Sequence, residues 1–308
     1  MATRIGSNYN LVLMELNIRN ARAAHLEAME PLASGRRLNH LRDDPSKIAE
    51  FFRLQNDLAR KEQYQLNINT ARTRVTMTDA VLNETTELMN QVYELAIQGN
   101  DETLSTGQVA TITSRIADLY DDIVDLANTK IGNDYLFSGY QSTTPPFSAT
   151  GAALPAAQMQ FDGDTNTQEI KVTSTRNVQV SLNGDYFFTG DLQGGSSTTD
   201  VFTSIQQLIE DLTNRDTVEI GNCINDLQTS LDQFAEGRAI MGNSMQQLVS
   251  ADNFLATLEL ANSERMATLV ETDIARATSD LSFREYVLET AFAVSRRVME
   301  VSLTSFLA

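Results

Sequence analysis

Two histidines, one cysteine and a row of aspartates are the groups in this 308-residue chain that could do chemistry. Neither His25 nor His40 sits in an HExxH pattern, and neither has a nearby Cys or His to complete a metal site. Asp118, Asp121, Asp122 and Asp125 gather four carboxylates, but their spacing is that of a solvated helix face. Phe161-Asp-Gly-Asp164 has the flavour of a calcium loop without the ring of further oxygen ligands, so it reads as a turn. Cys223 is alone, which rules out an intrachain disulfide, and a lone Cys at an apolar helical position is packing material. No Gly-rich loop leads from a strand into a helix as a phosphate site requires. The chain is read as non-enzymatic, with no catalytic residue, no cofactor and no metal.

The charge narrows the partners. Lys and Arg number 23 against 41 Asp and Glu, a formal −18 with a pI near 4.4. Nucleic acid and anionic membrane surfaces are poor partners for such a chain. Residues 1–75 hold 12 basic and 8 acidic side chains, a local +4; the remainder holds 11 against 33, a local −22. Solvated helix faces account for most of this, and a slightly basic first quarter pairing with an acidic remainder is the sharper expectation. No segment is long and apolar enough to span a bilayer, and the opening residues lack the pattern of a secretory signal peptide. That points to the cytoplasm unless export uses a route without a cleaved signal.

The elements that carry these groups are long helices. Trp is absent and only five prolines interrupt the chain. Residues 243–308 contain neither Gly nor Pro, and Val287, Ala291, Val294, Val298 and Val301 recur at steps of four and three, the seam of a coiled coil. So narrow a stripe needs a partner helix from this chain or another molecule. Residues 7–32 offer one, with Leu13, Leu16 and Ala23 on one face. A break follows around Gly35, Arg37 and Asn39, with Asp43 and Asp44 as caps and Pro45 at a first helical position. Helices are expected over about 45–98, with Phe52, Leu66, Val75, Leu82 and Val92 among its buried positions, and over about 108–130. Residues 132–200 turn to Gly, Ser, Thr and Asn with short alternating runs, and Asn183-Gly184 reads as a hairpin turn leading into Asp185–Phe188. Helix resumes near Val201, a capping box opens another at Asp216, and Ser282-Phe-Arg-Glu285 suggests a restart, which puts a joint at 271–282 opposite the one at 33–44. The fold class is mainly α: a long, discontinuous, coiled-coil-like helical rod made from both chain termini, with a small β-rich domain inserted in the middle. Its divisions are 1–42 with 272–308, then 43–135 with 200–271, then 136–199.

Several of these residues form a longer pattern. Leu32-Ala-Ser34-Gly35-Arg-Arg-Leu-Asn39, then Asp43-Asp44-Pro45, resembles the N-terminal signature of the bacterial flagellin superfamily. Glu62-Gln63-Tyr64, Asn67-Ile68-Asn69, Thr78-Asp79-Ala80 and Val92–Ala96 continue the resemblance, and Asp273-Ile-Ala275 with Ser302-Leu303 and Phe306-Leu307 resembles the C-terminal end. Tyr135-Leu136-Phe137-Ser138-Gly139, followed by Pro146-Phe147, is similar to the hook-associated protein 3 family, and flagellins proper generally lack it.

The resemblance implies a structural subunit of the bacterial flagellum, a ring between hook and filament, built by the chain itself. Its neighbours would be another hook-associated protein on the hook side and flagellin on the filament side. It implies an extracellular location reached through the flagellar type III export apparatus with an export chaperone, terminal helices lining the channel and a β domain facing outward. The assembly contacts are then expected at Leu13, Leu16, Ala23, Gly35, Arg37, Asn39, Asp43, Asp44, Pro45, Val287, Ala291, Val294, Val298 and Val301, with Arg36, Arg37 and Arg42 reaching carboxylates on adjacent subunits. Two other readings compete: a true flagellin, the filament subunit, and a secreted coiled-coil adhesin.

Overall fold

The computed structural model describes residues 2–40, 44–150, 158–190 and 200–307. Among the described residues six α-helices run in chain order: α1 Ala2–Ser34, α2 Pro45–Gly99, α3 Thr106–Ala127, α4 Val201–Asn214, α5 Thr217–Val270 and α6 Ile274–Leu307. Between α3 and α4 lie six short strands: β1 Lys130–Ile131, β2 Asp134–Tyr135, β3 Phe147–Thr150, β4 Gln158–Phe161, β5 Glu169–Lys171 and β6 Asn177–Gln179. The chain divides into two compact units, residues 1–60 with 257–308 and residues 61–256. Helices α2 and α5 each supply residues to both.

In the 61–256 unit, α2 turns Tyr64, Ile68, Ala71, Val75, Thr78, Leu82, Thr85, Met89, Val92 and Ala96 inward. Helix α5 does the same with Ile220, Cys223, Leu227, Ser230, Phe234, Gly237, Met241, Ser244, Leu248, Ala251 and Leu255. Both sets advance by strict steps of four and three, the pattern that keeps one seam facing a partner helix. The ion pairs Arg72–Asp252 at 3.1 Å and Arg238–Asp79 at 3.3 Å make the pair antiparallel. The first of these joins a basic residue of the first quarter to the acidic remainder. Small side chains stand in the seam, and three of its hydroxyls bond within their own helices. Thr78 donates to the Arg74 carbonyl at 3.0 Å, Thr85 to Val81 at 2.8 Å and Ser230 to Asp226 at 3.0 Å.

Helices α3 and α4 pack together and cover this pair. The buried face of α3 is Val109, Ile112, Ile116, Tyr120, Ile123 and Ala127. Its start is a reciprocal capping box between Ser105 and Gln108. Asp200 caps α4 by accepting from the Phe202 and Thr203 amides, and Asp216 caps α5 through Val218 and Glu219. Asp118, Asp121, Asp122 and Asp125 all face solvent. Among the described residues no group of His, Cys, Asp or Glu could hold a metal ion, and no helix is long and apolar enough to cross a membrane.

The strands make three separate antiparallel ladders, β1–β2, β3–β4 and β5–β6. No hairpin forms at Asn183-Gly184. Gly184 is helical, and Asp185–Thr189 is one π-helical turn closed by a left-handed Gly190. The cause is burial: Phe187 and Phe188 must both point inward, which a strand's alternation forbids and a helical turn allows. Phe188 is then the hub of an aromatic cluster, with ring centroids 5.3 Å from Phe137, 5.2 Å from Phe147, 5.8 Å from Phe202 and 5.3 Å from Phe234.

In the other unit α1 packs against α6. The residues of α1 turned toward cover are Met14, Ile18, Ala21, His25, Ala28 and Leu32; those of α6 are Ala277, Leu281, Arg284, Leu288, Ala291 and Ser295. Both again step by four and three. Helix α6 has no restart at Ser282: it begins at Ile274, where Asp273 accepts from the Arg276 amide at 3.1 Å, so the joint is confined to 271–273. On α2, Leu54 and Ile68 are buried where Phe52 and Leu66 were expected, and those two are exposed.

Candidate assembly site

Among the described residues, the terminal helix pair leaves large apolar side chains exposed on both helices. On α1, Val12, Leu13, Leu16, Leu26 and Met29 are exposed, with Leu16 at 50%. On α6, Phe283, Tyr286, Val287, Phe292, Val294, Val298 and Met299 are exposed, with Val294 at 52%. These residues divide between an inner stripe and its flanks. Of Val287, Ala291, Val294 and Val298, only Ala291 belongs to the stripe that faces α1 within the chain. Val287, Val294 and Val298 lie mainly on its flank, and the side chain of Val301 is outside the described residues. Leu13, Leu16 and Ala23 also point away from α6. The intrachain seam uses smaller or polar residues, Ala28 and Ser295 being its most buried members, so the apolar signal in the sequence came from the uncovered faces. A helix that is apolar well beyond one stripe is a helix awaiting further partners.

The joint between these helices and the next is tied by hydrogen bonds. Gly35 closes α1 in the left-handed conformation at φ +69°, as a C-terminal glycine does. Ser34 donates to the Glu30 carbonyl at 2.8 Å, and Asn39 donates to Ser34 Oγ at 3.0 Å and to the Arg36 carbonyl at 3.1 Å. The Arg37 amide donates to the Val270 carbonyl at 2.7 Å and the Thr272 amide to Gly35 at 3.2 Å. The Arg37 guanidinium donates to the Leu269 carbonyl at 3.2 Å, so within the chain it grips backbone and not a carboxylate. His40 lies 3.1 Å from Glu30. Pro45 opens α2, and Asp44 caps it by accepting from the Lys47 amide at 3.2 Å. The hydrogen bonds from Lys47 hold the Asp44 carboxyl below the usual carboxylate range. Asp43 and Arg42 lie outside the described residues. Beside the joint a cleft of about 250 Å³ is lined by Leu38, Ile48, Phe51, Phe52 and Val270 with Arg36, Asn39 and His40.

The motif residues Tyr135 to Phe147 serve the other unit, as core. Tyr135, Leu136, Phe137, Ser138 and Phe147 are all buried. Gly139 is left-handed at φ +63°, and a Cβ there would overlap the Asp164 carbonyl. The Pro146 carbonyl accepts from the Asp162 amide at 2.9 Å, which starts the β3–β4 ladder. Sequence reasoning missed Arg74 of α2, whose guanidinium donates to the Tyr135 and Leu136 carbonyls at 3.3 and 3.5 Å. Burial lowers its pKa, opposed by the Asp134 charge. Cys223 is buried in the α5 seam beside Asp211, its thiol pushed up to about 12 by burial and then by that carboxylate. Such a thiol is no nucleophile.

Comparison with known proteins agrees with this geometry. Residues 5–142 match the bacterial flagellin N-terminal helical region. The chain is 24% identical over 304 residues to flagellar hook-associated protein 3 of Escherichia coli, covering 93% of this chain and 94% of that protein. It is 21% identical over 238 residues to a flagellar filament core protein of Treponema maltophilum, covering 76% and 79%. The crystal structure of the flagellar junction protein of Legionella pneumophila shares the fold, with a TM-score of 0.58 at 17% identity over 71% of this chain and all of that one. The chain carries a bacterial flagellin N-terminal helical region over residues 5–142 and is similar over nearly its whole length to flagellar hook-associated protein 3.

Proposed function

We propose that this chain is a structural subunit of the bacterial flagellum that forms the junction between hook and filament. The observation that carries the mechanism is the pair of uncovered apolar faces on α1 and α6. Fully burying one Leu or Val side chain contributes roughly 1.5–3 kcal/mol, and the single chain forgoes part of that at Val12, Leu13, Leu16, Leu26, Val287, Val294 and Val298. Neighbouring copies supply the cover, by head-to-tail contacts around a screw axis, because a like-to-like patch would close a pair. Leu13, Leu16 and Ala23 of one copy and Val287, Val294, Val298 and Val301 of another are the contact. Gly35, Arg37, Asn39, Asp43, Asp44 and Pro45 shape the joint that presents them.

On this reading residues 1–42 with 272–308 form the inner part, 43–135 with 200–271 the surrounding helical part and 136–199 the outer domain. The chain works outside the cell and reaches its place through type III export without a cleaved signal. An export chaperone covers the terminal helices before then. The neighbours in place are a hook-associated protein and flagellin. The proteins this chain is similar to are named as flagellar hook-associated and junction proteins, and no catalysis is assigned.

The flagellin reading has support in the similarity to the Treponema maltophilum filament protein. Immunogold electron microscopy of flagella from cells that make this chain, with an antibody to residues 150–195, separates the two. A band of label where hook meets filament is expected. Label along the whole filament makes the chain a flagellin, and an unlabelled flagellum returns it to the adhesin class.

A further inference from the structure

One end of the 61–256 unit, where four helices stop, is apolar and acidic at once. Helix α2 ends there at Gly99, α3 begins at Thr106, α4 ends at Asn214 and α5 begins at Thr217. Gly99 lies so close to Leu212 of α4 that a Cβ would overlap its side chain. Arg215, the one non-glycine residue in the left-handed region among the described residues, turns α4 into α5 at φ 62°. Its guanidinium donates to the Leu104 carbonyl, which ties the 100–105 and 215–216 loops into one tip. A cleft of about 140 Å³ opens there, its lining shared by buried Val109 and Ile220 and exposed Asp101 and Glu102. Val218 is 70% exposed on the first turn of α5 and Ile97 52% exposed on the last turn of α2. Residues 76–129 and 200–237, the segments that run to this tip, hold 18 acidic side chains against Arg115 and Arg215 alone. A surface of one sign repels its own likeness and favours a basic partner, and exposed apolar side chains within it call for an apolar group on that partner. The start of α2 has that chemistry. Phe52 is 50% exposed. Arg53 and Arg60 are exposed one heptad apart on one helix face, and neither is ion-paired to another described residue.

We propose that the acidic tip of one copy docks the Phe52–Arg60 face of a second copy. Phe52 meets Val218 and the mouth of the cleft, and Arg53 and Arg60 lie against Asp101, Glu102 and Glu219. The proposal rests on the head-to-tail assembly argued above and adds to it a contact outside the terminal helices. The two patches are unlike, so the contact does not close a pair: each copy keeps a tip or a basic face for the next. The charges orient the approach and exclude tip-to-tip encounters, while the apolar side chains supply the area that water leaves.

Charge reversal on each side and on both gives the test, read as filament attachment in cells that make the full-length chain. Arg53→Glu/Arg60→Glu reverses one patch, and Asp101→Lys/Glu102→Lys reverses the other. Each pair is expected to cut attachment by about tenfold or more, and the chain carrying all four changes to return to within about threefold of the parent. A partner other than this chain cannot give that rescue, because it would meet two reversed patches instead of one. All four positions are exposed, so the urea midpoints of the purified variants are expected to match the parent's. A fourfold variant no better than either pair overturns the proposal, and so does normal attachment in either pair alone. The immunogold position of the parent is read separately. A band at the junction without rescue strikes this contact and leaves the junction reading standing, and label along the filament with rescue does the reverse.

Discussion

Two antiparallel helix pairs in this chain follow the same four-three step and meet opposite fates. In the α2–α5 pair of the 61–256 unit the seam is sealed. Helices α3 and α4, the Tyr135–Phe147 motif and the π turn supply its cover from within the chain. In the α1–α6 pair the seam is made, but Leu13, Leu16, Val287, Val294 and Phe292 stay in solvent. Periodicity therefore sets which residues face one partner helix and says nothing of whether the flanks will be covered. What distinguishes the pairs is the company each keeps. One has an aromatic hub packed against it by the same chain, and the other has apolar flanks that no described residue of the chain covers. A chain built this way can be stable as a monomer in one part and complete in the other only on assembly.

The sharpest way to break the contrast is at the hub. Phe188→Ala removes a side chain that is fully buried among four rings, and a loss of about 3–5 kcal/mol is expected. The measurement is the urea midpoint of the full-length chain. A loss under about 1 kcal/mol would mean that the hub is not sealed as its geometry indicates. Next come two glycines with nearly the same φ. Gly139→Ala must shift the Asp164 backbone as well as strain its own, while Gly35→Ala meets open space. The expected costs are about 2–3 kcal/mol or more at Gly139 and about 1–2 kcal/mol at Gly35, the strain of a left-handed residue alone. Equal costs would erase the distinction between a packed motif and an open joint. On the terminal pair, Val294→Asp and Leu16→Asp are expected to move the urea midpoint by less than about 0.5 kcal/mol. The same changes are expected to cut filament attachment in swimming cells by about tenfold or more. Normal attachment would remove these faces from the contact.

How much of this was legible depends on what occupies a seam. The α3 stripe of Ile112, Ile116 and Ile123 could be read directly, because large aliphatics hold the inner positions. So could the Asp44–Pro45 start of α2 and the Gly35 end of α1, since capping is local chemistry. The α2–α5 seam was legible only in part. Thr78, Thr85, Ser230, Ser244 and Gly237 hold buried positions there, while Phe52, Leu66 and Phe254 stand outside. An apolar count therefore points at the wrong face. On α6, Arg284 and Ser295 face inward and the valines flank them, so the apolar step in the sequence marks the uncovered side. Asn183-Gly184 carried a hairpin signal that tertiary burial of two successive phenylalanines overrode. Arg74 gave no signal, since nothing about one arginine in a helix announces that it will hold the carbonyls of residues 61 and 62 positions further on. The joint after α1 was legible from its Gly, Asn, Asp and Pro, yet the backbone bridge to 270–272 joins parts of the chain that no local pattern connects.

The smallest expected effect tests the seal on the α2–α5 pair from its charged rim. Asp252 accepts from Gln65 Nε2 at 2.5 Å and pairs with Arg72 at 3.1 Å. These contacts, the Gln65 hydrogen bond first, hold its pKa below the usual carboxylate value against a smaller opposing effect of burial. A carboxyl depressed in the folded chain releases its proton more readily there than when unfolded. Its contribution is therefore fully present above the unfolded value near 4 and fades as pH falls through the folded one. Both partners are partly exposed, so the contribution is discounted to about 0.5–1 kcal/mol. Asp252→Asn is expected to lose that amount at pH 7, with the gap between parent and variant closing below about pH 3. Urea midpoints of both chains at a series of pH values measure it. A gap that stays constant down to pH 2 would assign the loss to packing instead of charge, and the rim of the pair would then be held as its interior is.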